Sequence, residues 1–288
     1  MGTLEPVSNH QSREQAFKGF EAAGWQEKTE AYDGFFAPIV AKVVGPLLDA
    51  AGVRAGARQR VLDVATGPGY VAAAAARRGA ICVAVDIAPA MVALARRLNP
   101  ALDVRQGDME SLPLPNDGFD AVLANLAMMH AARPEQAVSE GVRVLAPGGW
   151  LAVSVWDHPD RARINGVFAD ALAEAQAPPP RDVPDGPPFY RFADDVERER
   201  LLTRQGLTDV WSGTVVFAHW FGSADELWNG MLAATVRTSA AIVRQPQDVR
   251  QRIRAAFDRL VATYTRGPDV EIPVSVKFST GRKPGQAD

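Results

Sequence analysis

Val61-Leu62-Asp63-Val64-Ala65-Thr66-Gly67-Pro68-Gly69-Tyr70 opens as a short, apolar, β-branched run and then breaks at two glycines. Glycine has no Cβ, so such a turn allows close approach of backbone to a ligand. Residues 71–78 are Ala-rich and strongly helix-forming, and Gly79 closes them. The segment therefore reads strand, glycine turn, helix. The same alternation continues downstream, with strands expected over 81–85, 103–106, 119–125 and 150–156 and helices over 89–98 and 134–145. Asn99-Pro100 and Pro147-Gly148-Gly149 supply the intervening turns. Strict strand–helix alternation implies right-handed crossovers and a parallel sheet. In such sheets ligands sit outside the carboxyl ends of the strands at the topological switch point. Chemistry is expected just after Val64, Val85, Leu123 and Val155.

Outside this stretch the pattern is less regular. Residues 1–10 read as a disordered start. Ser12 and Gln15 form a capping box for a helix over 13–32, and Gly34 is expected to break it. A second helix spans 38–52, with a kink at Pro46. Prolines crowd residues 177–190, a stiff, irregular connector. Beyond it come a helix over 193–205, a long strand over 210–220, helices over 224–238 and 248–264, and a final strand over 274–280. The fold class is thus α/β: a doubly wound, Rossmann-like sheet of seven strands, with N-terminal helices and a helical insertion before the last strand. Residues 1–55 form an N-terminal helical cap, 56–160 the ligand-binding core, and 161–288 the completion of the sheet with an acceptor-binding lid. All three belong to one catalytic domain.

The composition is that of a soluble globular chain: 288 residues, 47% hydrophobic and 23% charged. With 31 Lys+Arg against 34 Asp+Glu the net charge is -3, so no general grip on nucleic acid is indicated. The single cysteine, Cys82, lies in an apolar run and reads as a small buried hydrophobe. The N-terminus lacks the basic start and apolar stretch of a signal peptide. No run approaches the roughly 20 apolar residues of a membrane span. A cytoplasmic protein without nucleic-acid or membrane partners is expected, its oligomeric state left open.

Asp86 ends the second strand, inside the window for an acid that grips ribose hydroxyls. A glycine turn plus such an acid indicates an adenosine-containing ligand. Gly67-x-Gly69-x-x-Ala72 passes as a nicotinamide-dinucleotide fingerprint, which would place a pyrophosphate on a helix N-terminus. Asp63 argues the other way, because an acid there repels a pyrophosphate and suits the ammonium of a methionine moiety. Two further segments point in the same direction: Gly107-Asp108-Met109-Glu110 with Leu112-Pro113-Leu114, and Leu145-Ala146-Pro147-Gly148-Gly149.

In order and spacing, these motifs over residues 55–156 resemble the set found in class I S-adenosylmethionine-dependent methyltransferases. The likeness is closest to the branch of ubiquinone/menaquinone-type and natural-product enzymes. Ala65 departs from it by standing where the first glycine is usual. The resemblance implies S-adenosyl-L-methionine as cofactor, with Ala65, Thr66, Gly67 and Gly69 along its methionine end and Asp86 on the ribose. Ile87 and Met91 would pack on adenine, Asp108 would accept from the adenine amino group beside the Met109 N–H, and Asn125 and Leu126 would contact the methionine part through backbone.

His130 closes the segment after the fourth strand and is the best candidate for a general base, since histidine titrates near neutrality. His158 is the alternative, and His219 lies on a strand with either face open to burial. Aromatic residues are sparse between Val61 and Gly149 and cluster outside: Trp25, Tyr32, Phe35, Phe36, Trp156, Phe189 and others. That distribution suggests a small apolar or aromatic acceptor enclosed by the added segments. Tyr32 is the second catalytic candidate, because a Tyr-Asp pair ending the N-terminal helix also resembles this branch. No Cys/His cluster suggests a metal site. A macromolecular methyltransferase, a non-catalytic S-adenosylmethionine-binding protein and an NAD-dependent dehydrogenase remain as alternatives.

Overall fold

The computed structural model describes residues 7–285. Strands β1 (Arg60–Val64), β2 (Ile81–Asp86), β3 (Asp103–Gln106), β4 (Phe119–Ala124) and β5 (Leu145–Trp156) form its parallel part. Between them run α2 (Tyr70–Arg77), α3 (Pro89–Leu98) and α4 (Pro134–Val144). Val61, Leu62, Ala84, Ala121 and Leu123 have no exposed surface, which is why these strands read as continuous apolar runs. The sheet order is β3-β2-β1-β4-β5-β8-β6. The chain reverses direction of travel between β1 and β4, so the switch point lies where the glycine turn leaves β1.

The last strands complete the sheet antiparallel. β6 (Thr208–Phe221) lies at the edge, and β8 (Asp269–Arg282) inserts between β5 and β6, with the short β7 (Thr265–Arg266) folded onto its start. The turn expected at Pro147-Gly148-Gly149 lies inside β5. There the pairing slips from Phe119↔Leu145 to Ala121↔Trp150, and Gly148 adopts φ 80°.

Helices depart more from expectation. A single helix, α1 (Val7–Ala50), replaces the predicted pair. Gly34 does not break it, and the capping box at Ser12 falls in its interior. Pro38 removes the N–H that would bond to the Gly34 carbonyl, yet the helix continues through both. Packing against α2, α3 and the sheet outweighs the local helix-breaking tendency. The helix ends in paired bonds, Gly52 N–H to the Asp49 carbonyl and Val53 N–H to the Leu48 carbonyl, with Gly52 at φ 64°. Residues 7–10, expected to be irregular, are already helical, and residues 1–6 lie outside the described part. By length and composition alone, residues 11–50 could cross a membrane. In this fold their apolar residues Ile39, Val43 and Leu47 are fully buried in the core.

Helix α5 (Arg163–Glu174), which sequence reading missed, follows β5. Helix α6 (Asp195–Thr203) sits within the expected 193–205. The helix expected over 224–238 is two, α7 (Ala224–Ala234) and α8 (Arg237–Val243), followed by α9 (Gln247–Val261). The break at Thr235-Val236 lets Val236 press against Gly24 of α1, where an added Cβ would stand 2.4 Å from Val236 Cγ1. Lys28 on α1 also donates to the Leu232 carbonyl at 2.9 Å. Helices α1, α7 and α8 are thus knit together over the strand ends.

Candidate active site

The chain leaves β1 in a strained turn. Ala65 and Gly67 both have φ 53° and Gly69 has φ 88°. Thr66 N–H donates to the Val85 carbonyl at 3.0 Å and Gly67 N–H to Asp86 Oδ2 at 2.8 Å, so the turn is pinned to the end of β2. Gly69 is set back from the cavity. It caps α2, and a Cβ there would meet Asn99 Nδ2 at 3.0 Å, so its role is in packing α2 on α3. Left-handed backbone costs a residue with a Cβ roughly 1–2 kcal/mol. Ala65→Gly is therefore expected to raise the stability of the ligand-free protein by up to about 1 kcal/mol. Denaturant melts of the two proteins check this, and an unchanged or lowered midpoint would show that Ala65 carries no such strain.

Asp63 is buried beneath this turn. Its Oδ2 accepts the Thr66 hydroxyl at 2.5 Å and the Ala72 N–H at 3.0 Å. An N–H at the start of α2, the kind of donor a dinucleotide pyrophosphate would need, is thereby committed to a carboxylate. Burial pushes the Asp63 carboxyl up to about 7, against the lowering effect of both hydrogen bonds. Its folded-state value thus lies above its unfolded value of 3.8. Its contribution to stability is then full below about pH 4 and is lost as pH rises through about 7. Thermal melts of the ligand-free protein should show that loss between about pH 4 and pH 7, the interval between the unfolded and folded values. Asp63→Asn should flatten this part of the profile, and equal slopes in both proteins would remove the assignment.

Asp86 is also buried, and burial raises its carboxyl against backbone hydrogen bonds that lower it. Oδ1 accepts Ala88 N–H at 2.9 Å and Oδ2 accepts Gly67 N–H. A carboxylate offers about four acceptor positions, and the backbone N–H groups of Gly67, Ala88 and Ile87 take only part of them, which leaves capacity for a ligand hydroxyl. Ile87 and Met91 line the cavity beside it, and so do Asp108 and Met109. Asp108 is not free: Oδ1 accepts Glu110 N–H at 2.8 Å and Oδ2 accepts Lys18 Nζ at 2.6 Å. Lys18 also pairs with Glu110 at 2.8 Å, fastening α1 to this loop. On the other side, the Leu126 N–H donates to Ser154 Oγ at 2.8 Å, and that hydroxyl donates to Asn125 Oδ1 at 2.6 Å. Leu126, like Ala65, has φ 53°. Two strained residues therefore flank the same space, a pattern characteristic of functional sites.

The cavity, about 1310 Å³ including its open mouth, runs from these residues beneath α1 and α8. His130 ends a single 3-10 turn, Met128–His130. Its Nδ1 lies 3.0 Å from Glu21 Oε2, and its ring meets Trp25 edge-on at 5.0 Å. Trp25 Nε1 donates to the same Glu21 oxygen at 3.0 Å. Tyr32 packs edge-on against Trp25 at 5.4 Å and beside Phe36 at 5.1 Å. Burial, with Asp86 and Asp63 nearby, holds the Tyr32 phenol far above its ordinary range, so it stays protonated. The neighbouring Asp33 accepts the Tyr70 hydroxyl. Arg237 donates to the Met129 and Pro187 carbonyls, and its guanidinium lies over the Phe189 ring at 5.4 Å.

Apart from Gly69, every site residue singled out from sequence lines this one cavity. His158, His219 and Cys82 do not, and burial pushes the Cys82 thiol up to about 12. Among the described residues no group of three His, Cys, Asp or Glu is arranged to hold a metal ion. Sequence reading missed Lys18, Glu21, Asn165 and Arg237. A signal did exist for the first two. Lys18, Glu21, Trp25 and Tyr32 are spaced three, four and seven residues apart, placing charged and aromatic groups on one helix face.

The arrangement fits an adenosyl ligand with a positively charged amino-acid end, given two buried acids around a glycine turn. Comparison with known proteins agrees. Residues 62–153 match the family described as "Methyltransferase domain". A demethylmenaquinone methyltransferase of Renibacterium salmoninarum is 35% identical over 129 residues, 45% of this chain and 54% of that protein. The chain thus spans about half the length of that relative. An uncharacterized Mycobacterium tuberculosis protein is 32% identical over 193 residues, 62% of this chain and 68% of the other. Among solved structures, a phosphoethanolamine N-methyltransferase of Haemonchus contortus was determined with phosphomonomethylethanolamine and S-adenosylhomocysteine. It shares the fold at a TM-score of 0.55 and 17% identity, covering 93% of this chain and 60% of that one.

Proposed function

From the membership of this chain in the class I S-adenosylmethionine-dependent methyltransferase family, we propose that it methylates a small, apolar or aromatic organic acceptor by direct in-line displacement. The observation that carries this reading is the continuity of one cavity from the Asp63–Asp86 turn to the aromatic chamber around His130. Asp86 would hold the ribose hydroxyls, Asp63 the ammonium group, Ile87 and Met91 the adenine faces, and the Asn125–Leu126 backbone the methionine part. The Lys18 pair on Asp108 leaves that carboxylate's remaining acceptor capacity for the adenine amino group.

When bound, S-adenosylmethionine supplies a methyl carbon whose bond to the sulfonium breaks as the acceptor's electron pair forms the new bond, the old pair staying on sulfur. The chain's own work is then orientation, which can supply roughly 7–11 kcal/mol in favourable cases, and exclusion of water. His130 would take the acceptor's proton at a ring nitrogen, and Tyr32, held neutral, would wall the cavity as a polar but uncharged surface. Two of the relatives are named for demethylmenaquinone, an acceptor that suits an aromatic-walled chamber. Residues 1–55 serve as the cap, 56–160 as the cofactor-binding core, and 161–288 as the completion of the sheet and the acceptor-binding lid, in a cytoplasmic enzyme. Calorimetry with S-adenosylmethionine and with NADH tests the reading: binding of the first alone is expected, and binding of NADH alone would replace it with a dehydrogenase.

A further inference from the structure

Two residues that line this cavity each carry a buried polar atom with no hydrogen-bond partner among the described residues: Glu21 Oε1 and Asn165 Nδ2. Their residues are only 3% and 5% exposed. A carboxylate or amide buried for purely structural reasons is normally satisfied, and an orphan atom calls for an explanation. One of these atoms is an acceptor and the other a donor, and Glu21 lies beside the Trp25 and His130 rings. A ligand satisfying the Asn165 donor carries an acceptor oxygen on a frame that suits the apolar and aromatic lining of the cavity.

The Glu21 end has a direction built into it. Trp25 Nε1 can only donate, so Glu21 Oε2 is an acceptor in that bond at 3.0 Å. The same oxygen faces His130 Nδ1 at 3.0 Å. An ionised Glu21 therefore requires a proton on Nδ1, and the neutral ring carries its lone pair on Nε2. We propose that Glu21 is a positioning residue that holds His130 as an Nε2 base, and that the acceptor is an aromatic hydroxyl compound whose second oxygen is held by Asn165. This rests on the methyl-transfer reading above. The acceptor O–H bond breaks with its proton passing to His130 Nε2. The electron pair left on the acceptor is the one that bonds to the methyl carbon, and the imidazolium is balanced by the Glu21 carboxylate. Neither Glu21 nor Asn165 stands in a motif of the cofactor core. They reach the cavity from α1 and α5, elements the sheet pattern does not predict.

Two measurements on the protein loaded with S-adenosylhomocysteine test this. The first is the 15N spectrum of the histidine rings, with His130 assigned through His130→Asn. The neutral His130 ring is expected to be protonated on Nδ1 in the wild type and in Glu21→Gln, whose amide oxygen still accepts, and to lose that preference in Glu21→Leu. An Nε2–H tautomer in the wild type, or an identical spectrum in Glu21→Leu, overturns the positioning role, and the wild-type result stands even if a variant fails to fold. The second is calorimetry with 1-naphthol and 4-methoxy-1-naphthol, which differ by one acceptor oxygen. The methoxy compound should bind roughly 3- to 10-fold more tightly, the value of one hydrogen bond, and Asn165→Leu should erase the difference. Equal affinities in the wild type, or no binding of either naphthol, overturns the acceptor assignment. Failure of S-adenosylhomocysteine itself to bind would instead remove the methyl-transfer reading.

Discussion

Replacing His130 by alanine should lower methyl transfer to 1,4-dihydroxynaphthalene about 10²- to 10⁴-fold, the usual worth of a positioned general base. Affinity for S-adenosylmethionine should stay unchanged, because on the proposed reading His130 faces the acceptor, packed against Glu21, Trp25 and Phe189. A contact used only in the transition state lowers kcat without altering ground-state binding. Alanine also strips Glu21 of one of its two partners, so some loss of stability is expected alongside. His130→Asn separates the effects, since its amide can still donate toward Glu21 but offers no ring nitrogen to take a proton. Single-turnover rates across the pH range are the measurement. If both variants turn over like the wild type at every pH, His130 is structural and the acceptor loses its proton elsewhere.

Replacing Asp86 by alanine should weaken S-adenosylmethionine binding by at least about 100-fold. Each hydrogen bond to a charged group contributes about 1.5–3 kcal/mol, and two ribose hydroxyls are at stake. The fold will not be untouched. Asp86 also accepts the Gly67 and Ala88 N–H groups, and alanine leaves both without that partner at about 1–3 kcal/mol each when buried. Asp86→Asn keeps the shape and one acceptor oxygen, so it should bind the cofactor poorly while melting closer to the wild type. Isothermal calorimetry on both variants, with thermal melts as control, decides the matter, and wild-type affinity in either would withdraw the ribose assignment.

The cofactor side was legible from sequence because its determinants are local. The buried strand at 61–64, the glycines at 67 and 69 and the acid at the end of the next strand are fixed by spacings of a few residues to about twenty. The four-residue strand 103–106 and the helix 89–98 fall where the pattern placed them. The aromatic chamber around His130 was legible only in part. The crowding of aromatics outside the core pointed to Trp25, Tyr32 and Phe189, and the position after β4 pointed to His130. The polar groups that give the chamber its chemistry were not visible, because Glu21 meets His130 across 109 residues of chain and Lys18 meets Asp108 across 90.

By itself, then, the sequence determined the alternating core, its parallel direction, the switch-point location of the site and the residue types around the glycine turn. These follow from side-chain periodicity and turn stereochemistry, which act over one or two elements. Tertiary structure alone decided that 7–50 is one helix through Gly34 and two prolines, that β8 inserts antiparallel between β5 and β6, and that Thr235-Val236 breaks a helix to seat Val236 on Gly24. It also decided that Glu21, Asn165 and Arg237 enter the cavity. Those outcomes depend on many weak contacts between segments far apart in the chain, and helix propensity, worth at most about 1 kcal/mol for a glycine, is small beside the apolar surface that such packing removes from water.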